Sequence, residues 1–359
     1  MSETINYKSS SAAEQEITES ELAEEIAIPW TEKKLGVALV GLGKYSTEQL
    51  APALQQTHNC YLAGIVSGSE NKIKEWKAQC NIADENIYNY KNFDAIKEND
   101  AIDILYIALP NALHAEYVIR GAQAGKHIIC EKPMAVSVEE CDRMIKACKD
   151  AGKMLSIGYR LHFEPHHRDM MKMGQAKIFG ELSQISAKHG SNDTKGWRLD
   201  KTLAGGGPLM DLGIYCIQAA RYVSGMEPVA VTVKEGKIVN DERFKNIEDA
   251  LIWEMEFPNG LIAYCETSYN EEMNSLHADA AHGWFELSPA YEYEGINGKT
   301  ATGFINLPNV NQQALQMDDF ALCIMSHKPS KVSGEMGKCD MKIIAAIYEA
   351  MQTGNKIEV

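Results

Sequence analysis

The amino-acid sequence predicts an α/β fold in two parts: a doubly wound parallel sheet, then an α+β domain with a large open, mostly antiparallel sheet. From residue 35 to about residue 157, apolar runs typical of buried strands alternate with helical stretches. This alternation indicates right-handed βαβ units with helices on both faces of a parallel sheet. Beyond residue 159, longer strand-like runs follow one another, with a hairpin turn at Phe257–Leu261. The length of 359 residues exceeds the usual size of one domain, so we expect two.

The elements of the first part follow a regular order. We expect strands at 35–40, 61–67, 103–108, 127–130 and 154–157, and helices at about 47–57, 70–80, 112–124 and 137–151. Gly125 and Gly152 follow two of these helices, at positions where glycine commonly ends a helix.

The second part is expected to begin after Tyr159. Pro208 fits the first position of a helix that follows three glycines, and a final helix is expected at about 338–353, stopped by Gly354. The strand-like runs of this part are 229–237, 250–257 and 261–268. We therefore predict four segments: an acidic arm at 1–34, the parallel-sheet domain at 35–157, the open-sheet domain at 158–337, and a helical end at 338–359 that returns to the first domain.

Charge and composition exclude several classes of function. The net charge of −15 argues against nucleic acid or an anionic membrane surface as the main partner. No apolar run approaches the roughly 18 residues of a membrane span. The nine cysteines form no C-x-x-C pair, and the glutamate-rich start carries no apolar leader. We expect a cytoplasmic protein with reduced thiols. We expect no metal, since His162, His166 and His167 resemble a metal site only by their number, without a matching carboxylate geometry.

A glycine turn after the first strand indicates a dinucleotide site. The buried strand 35–40 runs into Gly41-Leu42-Gly43, with Ser46 in place of a third glycine. In such a turn, the first glycine allows the sharp bend and the second lets the backbone approach a pyrophosphate at a helix amino terminus. Two glycines after a strand are often only a turn, but their position at the first βα junction favours a Rossmann domain.

The end of the second strand favours NADP over NAD. An NAD enzyme places a carboxylate there, on the ribose 2'-hydroxyl. This chain instead has Ser67, with Lys72 one helical turn further on, and a hydroxyl with an ammonium suits a 2'-phosphate. Glu70 lies nearby, where a helix start explains a carboxylate equally well.

The third and fourth strands supply candidates for the reacting end of the cofactor. Asn111 and His114 follow the third strand and are expected to line the nicotinamide. Asn111 could instead simply cap a helix, and His114 could be an ordinary half-buried histidine. Lys132 stands where the strand 127–130 ends and Pro133 prevents its continuation. The sequence thus places a cation beside the expected reactive ring.

Asp211 and Tyr215 project from one face of the helix after the three glycines. Hydride removal from a carbinol carbon needs a proton acceptor on the oxygen, and a tyrosine beside a lysine can serve, because positive charge favours the phenolate. We expect Tyr215 to be the general base in oxidation and the acid in reduction. Lys132 is expected to be the electrostatic partner of the reacting oxygen and of this base, and Asp211 an acceptor for a sugar hydroxyl. Tyr215 could alternatively be a core tyrosine. For Asp211, the helix dipole offers an alternative reason.

Further polar residues fall near the expected cleft. Tyr159 and Arg160 directly follow the fifth strand and could read sugar hydroxyls. Trp197 and Arg198 precede the three glycines, where an indole beside a guanidinium suits a sugar ring but could equally form a structural stack.

These motifs together resemble the glucose-fructose oxidoreductase branch of the Gfo/Idh/MocA family, from about residue 35 to the carboxyl end. The resemblance rests on Gly41–Tyr45, Leu109–Glu116, Gly125–His127, Glu131–Ala135, Ile157–Arg160, Trp197–Leu199 and Leu203–Tyr215. It implies a Rossmann domain, a second domain with a large open sheet, NADP as cofactor, and sugar oxidation at the anomeric carbon or ketose reduction.

The resemblance also implies roles for individual residues. Lys132, Asp211 and Tyr215 are the catalytic residues, and Tyr215 in place of a histidine points to the named branch. With Tyr159 and Arg160, they are also expected to contact the substrate. The expected cofactor contacts are Gly41, Gly43, Lys44, Tyr45, Ser67, Lys72, Tyr90, Leu109, Pro110, Asn111, His114, Glu131, Lys132, Arg160, Trp197 and Arg198.

One departure concerns the arm. The namesake enzyme is exported and brings an arginine of its arm to the cofactor, whereas the first arginine here is Arg120. A weaker grip on the cofactor favours an ordinary dehydrogenase or reductase over an exchange between two sugars. A cofactor-assisted lyase or glycosidase and a non-catalytic nucleotide-binding regulator stay open as alternatives. A sheet with one uncovered face is expected to pair with its copy in a homodimer or homotetramer.

Overall fold

The structure is a computed structural model that describes residue 29 and residues 31–359. The acidic arm predicted for 1–34 therefore lies almost entirely outside the described residues. The chain divides into two compact units. One comprises the described residues up to Arg160 together with Asn311–Met341, and the other comprises Leu161–Val310 and Lys342–Val359. We call them the parallel-sheet unit and the open-sheet unit. In the described part of the chain, no helix has both the length and the apolar character needed to cross a membrane.

A six-stranded sheet forms the centre of the parallel-sheet unit. Its strands in chain order are β1 Leu35–Val40, β2 Cys60–Val66, β3 Ile87–Tyr88, β4 Ile104–Ile107, β5 His127–Cys130 and β6 Leu155–Ile157. They are ordered β3-β2-β1-β4-β5-β6, and every pairing is parallel. The chain order reverses at β1, so the carboxyl ends of β1 and β4 flank the crevice where a doubly wound sheet binds its ligand. This confirms the predicted Rossmann topology.

Helices connect these strands much as the apolar pattern predicts. The α-helices of the unit are Ala51–Leu54, Glu70–Cys80, His114–Gln123, Val138–Asp150 and Gln312–Ser326, with a π turn at Ser46–Leu50 and 3-10 turns at Asp84–Asn86, Phe93–Glu98 and Asn111–Leu113. Gly125 and Gly152 have φ values of +74° and +63° directly after two helices. Both therefore adopt the left-handed conformation expected of a helix-ending glycine.

The helix Gln312–Ser326 departs from the predicted domain boundaries. It was expected in the open-sheet domain, but Met317 and Phe320 are buried in the cluster that also holds Leu50 and Trp76 of the parallel-sheet unit. The helix therefore completes the core of the unit whose last strand, β6, ends at Ile157, far earlier in the sequence. The apolar pattern along the chain does not predict that a late helix packs into the core of an early unit.

A nine-stranded sheet forms the open-sheet unit. Its strands are β7 Leu182–Gly190, β8 Ala230–Asn240, β9 Lys245–Glu256, β10 Ile262–Ser268, β11 Met273–Ala280, β12 Gly283–Leu287, β13 Gly298–Thr300, β14 Gly303–Ile305 and β15 Ile357–Glu358. The order is β14-β13-β12-β11-β7-β10-β9-β8-β15. Only β7 with β10 is parallel among these pairings, so the predicted mostly antiparallel sheet is confirmed.

Helices cover one face of this sheet. The helices of the unit are Pro165–Gln175, Lys201–Ala204 and Ile214–Ser224, with a π turn at Leu209–Gly213 and 3-10 turns at Arg160–Phe163 and Gly196–Leu199 around them. Trp253, Ala263 and Ala187 are buried beneath the helices, whereas their strand neighbours Glu254 and Tyr264 face the other side. Tyr264 is 42% exposed there, near the centre of the sheet.

The last helix, Gly334–Thr353, is divided between the units after Met341. Near its start, Gly337 lies so close to Ile157 and Met134 of the parallel-sheet unit that an added Cβ would be 3.0 Å from each. Further on, the Tyr348 hydroxyl donates to Glu248 Oε1 of the open-sheet unit at 2.9 Å. The predicted return of residues 338–359 to the first domain therefore describes only the beginning of this helix, and β15 joins the open sheet.

Candidate active site

The glycine turn after β1 has the shape that a dinucleotide requires. Gly41 has a φ of +95°, and an added Cβ would lie 2.6 Å from the carbonyl oxygen of Ala108. Gly43 differs, because an added Cβ there would meet no protein atom within 4 Å. The fold thus requires the first glycine, whereas the second leaves open space for close approach of a ligand to the backbone. The buried Ser46 hydroxyl donates to the Gly41 carbonyl at 2.6 Å and fixes the turn.

Ser67 and Lys72 lie on the same edge as this turn. The Lys72 ammonium donates to the carbonyl of Leu42 at 2.6 Å, so its position is tied to the glycine turn. Ser67 is buried at the end of β2, and its Oγ accepts from the backbone N–H of Ser69 at 3.1 Å. Gly68 packs against the ring of Tyr90, where an added Cβ would come within 3.0 Å. These residues therefore fit the adenosine end of NADP.

Tyr90 is held by an aromatic cluster. Its ring lies 5.4 Å from that of Tyr117 in an edge-to-face arrangement, and burial raises the pKa of Tyr90. Arg120 supports the cluster by donating to Asp94 at 2.9 Å, with its guanidinium 4.9 Å from the centre of the Phe93 ring. Arg120 thus stabilises the segment that carries Tyr90. From the sequence alone, this residue is notable only as the first arginine of the chain.

His114 has a different place from the one expected. It is fully buried, with Nδ1 2.9 Å from the carbonyl oxygen of Pro133 and Nε2 2.9 Å from that of Leu109. Burial lowers the pKa of His114, although both carbonyls act against this. With both ring nitrogens engaged, the side chain links the segments after β4 and β5 instead of presenting a polar group to a cofactor. Leu109 and Asn111 are buried nearby and Pro110 is half-buried.

Glu131 and Lys132 follow β5, and the Lys132–Pro133 peptide bond is cis. The Glu131 Oε1 accepts from the Tyr106 hydroxyl at 2.7 Å, and its Oε2 accepts from the Lys132 backbone N–H at 3.3 Å. Burial raises the pKa of Glu131 despite these contacts. The carboxylate next to the predicted catalytic lysine is therefore held by protein groups.

Tyr159 and Arg160 are almost wholly buried, at 5% and 3% exposure. The Tyr159 hydroxyl donates to Asp340 Oδ2, and Arg160 donates to Gln312 Oε1. Both partners come from the segment that returns to this unit late in the chain. These contacts give the two side chains a structural role, and their contacts with substrate and cofactor stay predictions.

In the open-sheet unit, the three glycines lead into the helix that carries Asp211 and Tyr215. The helix begins with the π turn Leu209–Gly213, where the sequence predicted a regular α-helix, and continues as Ile214–Ser224. Such π turns are frequent at functional sites. The buried Glu248 carboxylate holds its start, since Oε1 accepts from the backbone N–H groups of Gly207 and Leu209 at 3.1 Å.

Asp211 contacts Arg198 and Tyr269. Its Oδ2 lies 3.0 Å from Arg198 Nε and accepts from the Tyr269 hydroxyl at 3.2 Å. The charge of Asp211 raises the pKa of Arg198, whose guanidinium also lies 4.6 Å from the centre of the Trp197 ring. Arg198 therefore contacts both the Trp197 ring and Asp211 on the predicted catalytic helix.

Tyr215 is half-buried among aromatic rings. The His189 ring contacts it edge to face at 5.1 Å, and the Tyr291 ring lies 5.8 Å away and stacks on His189 at 4.7 Å. His167 extends this cluster, with Nδ1 bonded to the Tyr222 hydroxyl and Nε2 2.6 Å from the Ala290 carbonyl oxygen. His162 and His166 bond to Gln218 and Glu164 at 2.8 Å and 2.7 Å.

Sequence reasoning missed several of these supporting residues. Glu248 and His189 lie within strands, where polar residues normally alternate with apolar ones, so neither residue stands out in the sequence. Tyr106 offered one signal, because it interrupts an otherwise aliphatic buried strand.

Two family models match the chain. One, described as an oxidoreductase family with an NAD-binding Rossmann fold, matches residues 35–159, and the GFO/IDH/MocA C-terminal domain matches residues 167–287. A crystal structure of aldose-aldose oxidoreductase from Caulobacter crescentus, complexed with glycerol, is 38% identical with a TM-score of 0.88, over 91% of this chain and all of that one.

Curated relatives agree with these matches. The D-xylose 1-dehydrogenase [NADP(+)] of Haloarcula marismortui is 29% identical over 92% of this chain and 94% of its own. The 2,7-anhydro-N-acetylneuraminate hydratase of Escherichia coli is 28% identical over 65% of this chain and 61% of its own. These matches, on both units and with the glycine turn and Lys132 in place, confirm the predicted family: the chain belongs to the Gfo/Idh/MocA oxidoreductase family.

Proposed function

We propose that this protein is an NADP-dependent sugar oxidoreductase, which transfers a hydride between the nicotinamide and a CH–OH group of a sugar. The observation that carries the proposal is the edge of the parallel sheet, where the open Gly43 backbone, Ser67 and Lys72 lie together. Similar proteins agree with the expected enzyme class and cofactor. One of them is named D-xylose 1-dehydrogenase [NADP(+)].

The parallel-sheet unit supplies the cofactor contacts. Backbone groups of the turn at Gly41 and Gly43 take the pyrophosphate, because peptide N–H groups at a helix start favour anions. Ser67 and Lys72 take the 2'-phosphate, and the ammonium of Lys72 provides the charge that favours NADP over NAD. Tyr90 would pack beside the adenosine, and the segments after β4 and β5 would hold the nicotinamide.

The chemistry divides between three side chains. When bound, NADP accepts or returns the hydride. Tyr215 takes the hydroxyl proton in oxidation and returns it in reduction. Lys132 supplies positive charge that stabilises the reacting oxygen when it becomes negative. Asp211, held by Arg198 and Tyr269, accepts a hydrogen bond from a sugar hydroxyl.

The proposed reaction is oxidation of an aldose at its anomeric carbon to a lactone. In the opposite direction of hydride transfer, the enzyme would reduce a ketose. The test is a screen of purified protein against aldoses and ketoses with NADP(H) and NAD(H), read by nicotinamide absorbance and by product analysis. A lactone formed together with NADPH supports the proposal. If dinucleotide binds but no sugar changes the nicotinamide absorbance and no product forms, the protein is a regulator and not an enzyme.

A lyase or hydratase of the same family is the second candidate, favoured by the similarity to a 2,7-anhydro-N-acetylneuraminate hydratase. Transient oxidation of the sugar would acidify the neighbouring C–H bond, and the cofactor would be regenerated within each turnover. This chemistry gives product with no net change in nicotinamide absorbance, so the same screen separates the two candidates.

Exchange between two sugars on one bound cofactor is tested separately. Protein with glucose and fructose, but without added NADP, should yield no product if the enzyme is a simple dehydrogenase. Formation of gluconolactone and sorbitol under these conditions would instead show that cofactor stays bound through both half-reactions.

The open sheet is proposed to pair with its copy in a homodimer or homotetramer. One face is covered by helices, and the other exposes Tyr264. A cytoplasmic location remains a prediction of the sequence, and it agrees with the nine free cysteines.

A further inference from the structure

Strand β4 contains a buried polar group that needs an explanation. The strand lies between β1 and β5, and its four residues are fully buried. Strands of a parallel sheet covered on both faces are normally aliphatic throughout. Tyr106 breaks this rule, and a buried phenol is costly unless its hydroxyl is hydrogen-bonded.

The Tyr106 hydroxyl is directed to the carboxylate beside the predicted catalytic lysine. It donates to Glu131 Oε1 at 2.7 Å, and the other oxygen, Oε2, accepts from the Lys132 backbone N–H at 3.3 Å. Gly158 closes the space behind this carboxylate, since an added Cβ would lie 2.6 Å from Oε1. The position of Glu131 is therefore defined from three sides.

Tyr106 also reaches the glycine turn. Its pKa is raised well above the usual value, chiefly by burial, next by the charge of Glu131, and then by Tyr45, which also hydrogen-bonds to it. Tyr45 belongs to the turn Gly41–Tyr45, which we assign to the pyrophosphate. One buried side chain thus contacts both the turn that binds the cofactor and the segment that carries Lys132.

We propose that Tyr106 is a positioning residue for Lys132, acting through the Glu131 carboxylate and coupling the lysine segment to the glycine turn. The inference rests on the proposed function, in which Lys132 is the catalytic cation. Tyr106 itself touches neither the substrate nor the reacting atoms. Its hydroxyl fixes the carboxylate, and the carboxylate fixes the backbone from which Lys132 projects.

A double-mutant cycle tests this arrangement, with Tyr106→Phe, Glu131→Gln and the double variant. Tyr106→Phe removes one oxygen and keeps the ring that packs in the sheet. Loss of a hydrogen bond to a charged group predicts a fall in kcat of roughly 10- to 100-fold, with a smaller weakening of NADPH binding. If both residues act as one unit, the double variant is no slower than the slower single variant.

The pH profile separates positioning from loss of folding. The hydrogen bond from Tyr106 lowers the pKa of Glu131 against the larger effect of burial. Without it, Glu131 takes up a proton at higher pH, so the acidic limb of kcat/KM moves to higher pH in Tyr106→Phe. In the Glu131→Gln background, Tyr106→Phe should cause no further shift.

Tyr88→Phe is the matched control. Tyr88 is also a buried tyrosine of this sheet, but its hydroxyl accepts from Asn99 at 2.9 Å, away from Lys132. The Tyr88→Phe variant should lose thermal stability without a shift in the pH profile of kcat/KM. Additive effects of Tyr106→Phe and Glu131→Gln on both kcat and NADPH affinity would overturn the inference. NADPH affinity, measured by fluorescence, needs no turnover, so the cycle is informative even if no sugar proves to be a substrate.

Discussion

At the scale of single residues, Lys72 is the side chain that we propose selects NADP over NAD. Its ammonium is tied to the Leu42 carbonyl and lies beside the glycine turn. Replacing Lys72 by Gln should weaken NADP binding about 10- to 100-fold and leave NAD binding nearly unchanged, because only NADP carries the 2'-phosphate. Titration with both dinucleotides measures the ratio. Lys74→Gln, on the same helix and exposed, is the control and should alter neither affinity. Equal loss for both dinucleotides would remove Lys72 from the 2'-phosphate site.

Tyr215, at the same scale, is the proposed general acid and base. Tyr215→Phe keeps the ring contacts with His189 and Tyr291 but removes the proton donor and acceptor. We expect kcat to fall by at least about 100-fold, with NADPH affinity unchanged, since general acid–base catalysis contributes that much. Steady-state kinetics and NADPH titration measure the two effects. Tyr264→Phe, an exposed phenol of the same unit, should keep full activity. Near-normal turnover of Tyr215→Phe would assign the proton transfer to another group.

At the scale of elements, the three glycines shape the start of the catalytic helix. An added Cβ on Gly206 would lie 1.9 Å from the Tyr348 hydroxyl, and one on Gly207 would lie 2.2 Å from the Glu248 carbonyl oxygen. These glycines therefore allow the last helix and β9 to pack against the turn. The sequence revealed the glycines but not the two partners, which lie 41 and more positions further along the chain.

Gly206→Ala should destabilise the protein by roughly 1–3 kcal/mol, because the new methyl group overpacks this contact. In a Tyr348→Phe background, the additional loss should be smaller, since the nearest atom is removed and the next is 2.8 Å away. Thermal or denaturant unfolding of the four proteins gives both values. Gly43→Ala is a useful comparison, because no protein atom would meet its Cβ and stability should be retained. An equal loss in both backgrounds would contradict the predicted clash.

At the scale of the whole molecule, the face of the open sheet on which Tyr264 is exposed is the feature that predicts self-association. Tyr264 and Tyr61 are both tyrosines on strands with 42% exposure, one on this face and one on the parallel-sheet unit. Tyr264→Lys should reduce the molar mass measured by light scattering toward that of one chain, because a buried interface disfavours an unpaired charge. Tyr61→Lys should leave the mass unchanged. A monomeric unmodified protein would refute the predicted homo-oligomer.

The sequence determined the alternating elements of the parallel sheet, the glycine turn with Ser67 and Lys72, and the segment of Lys132. These signals are local, since strand period, turn residues and motif spacing depend on neighbours along the chain. The tertiary structure decided what the sequence could not: Gln312–Ser326 packs into the first core, Tyr159 and Arg160 bond to late segments, and His114 bridges two carbonyls. Each of these depends on contacts between distant segments, and such pairings leave no periodic mark in the chain.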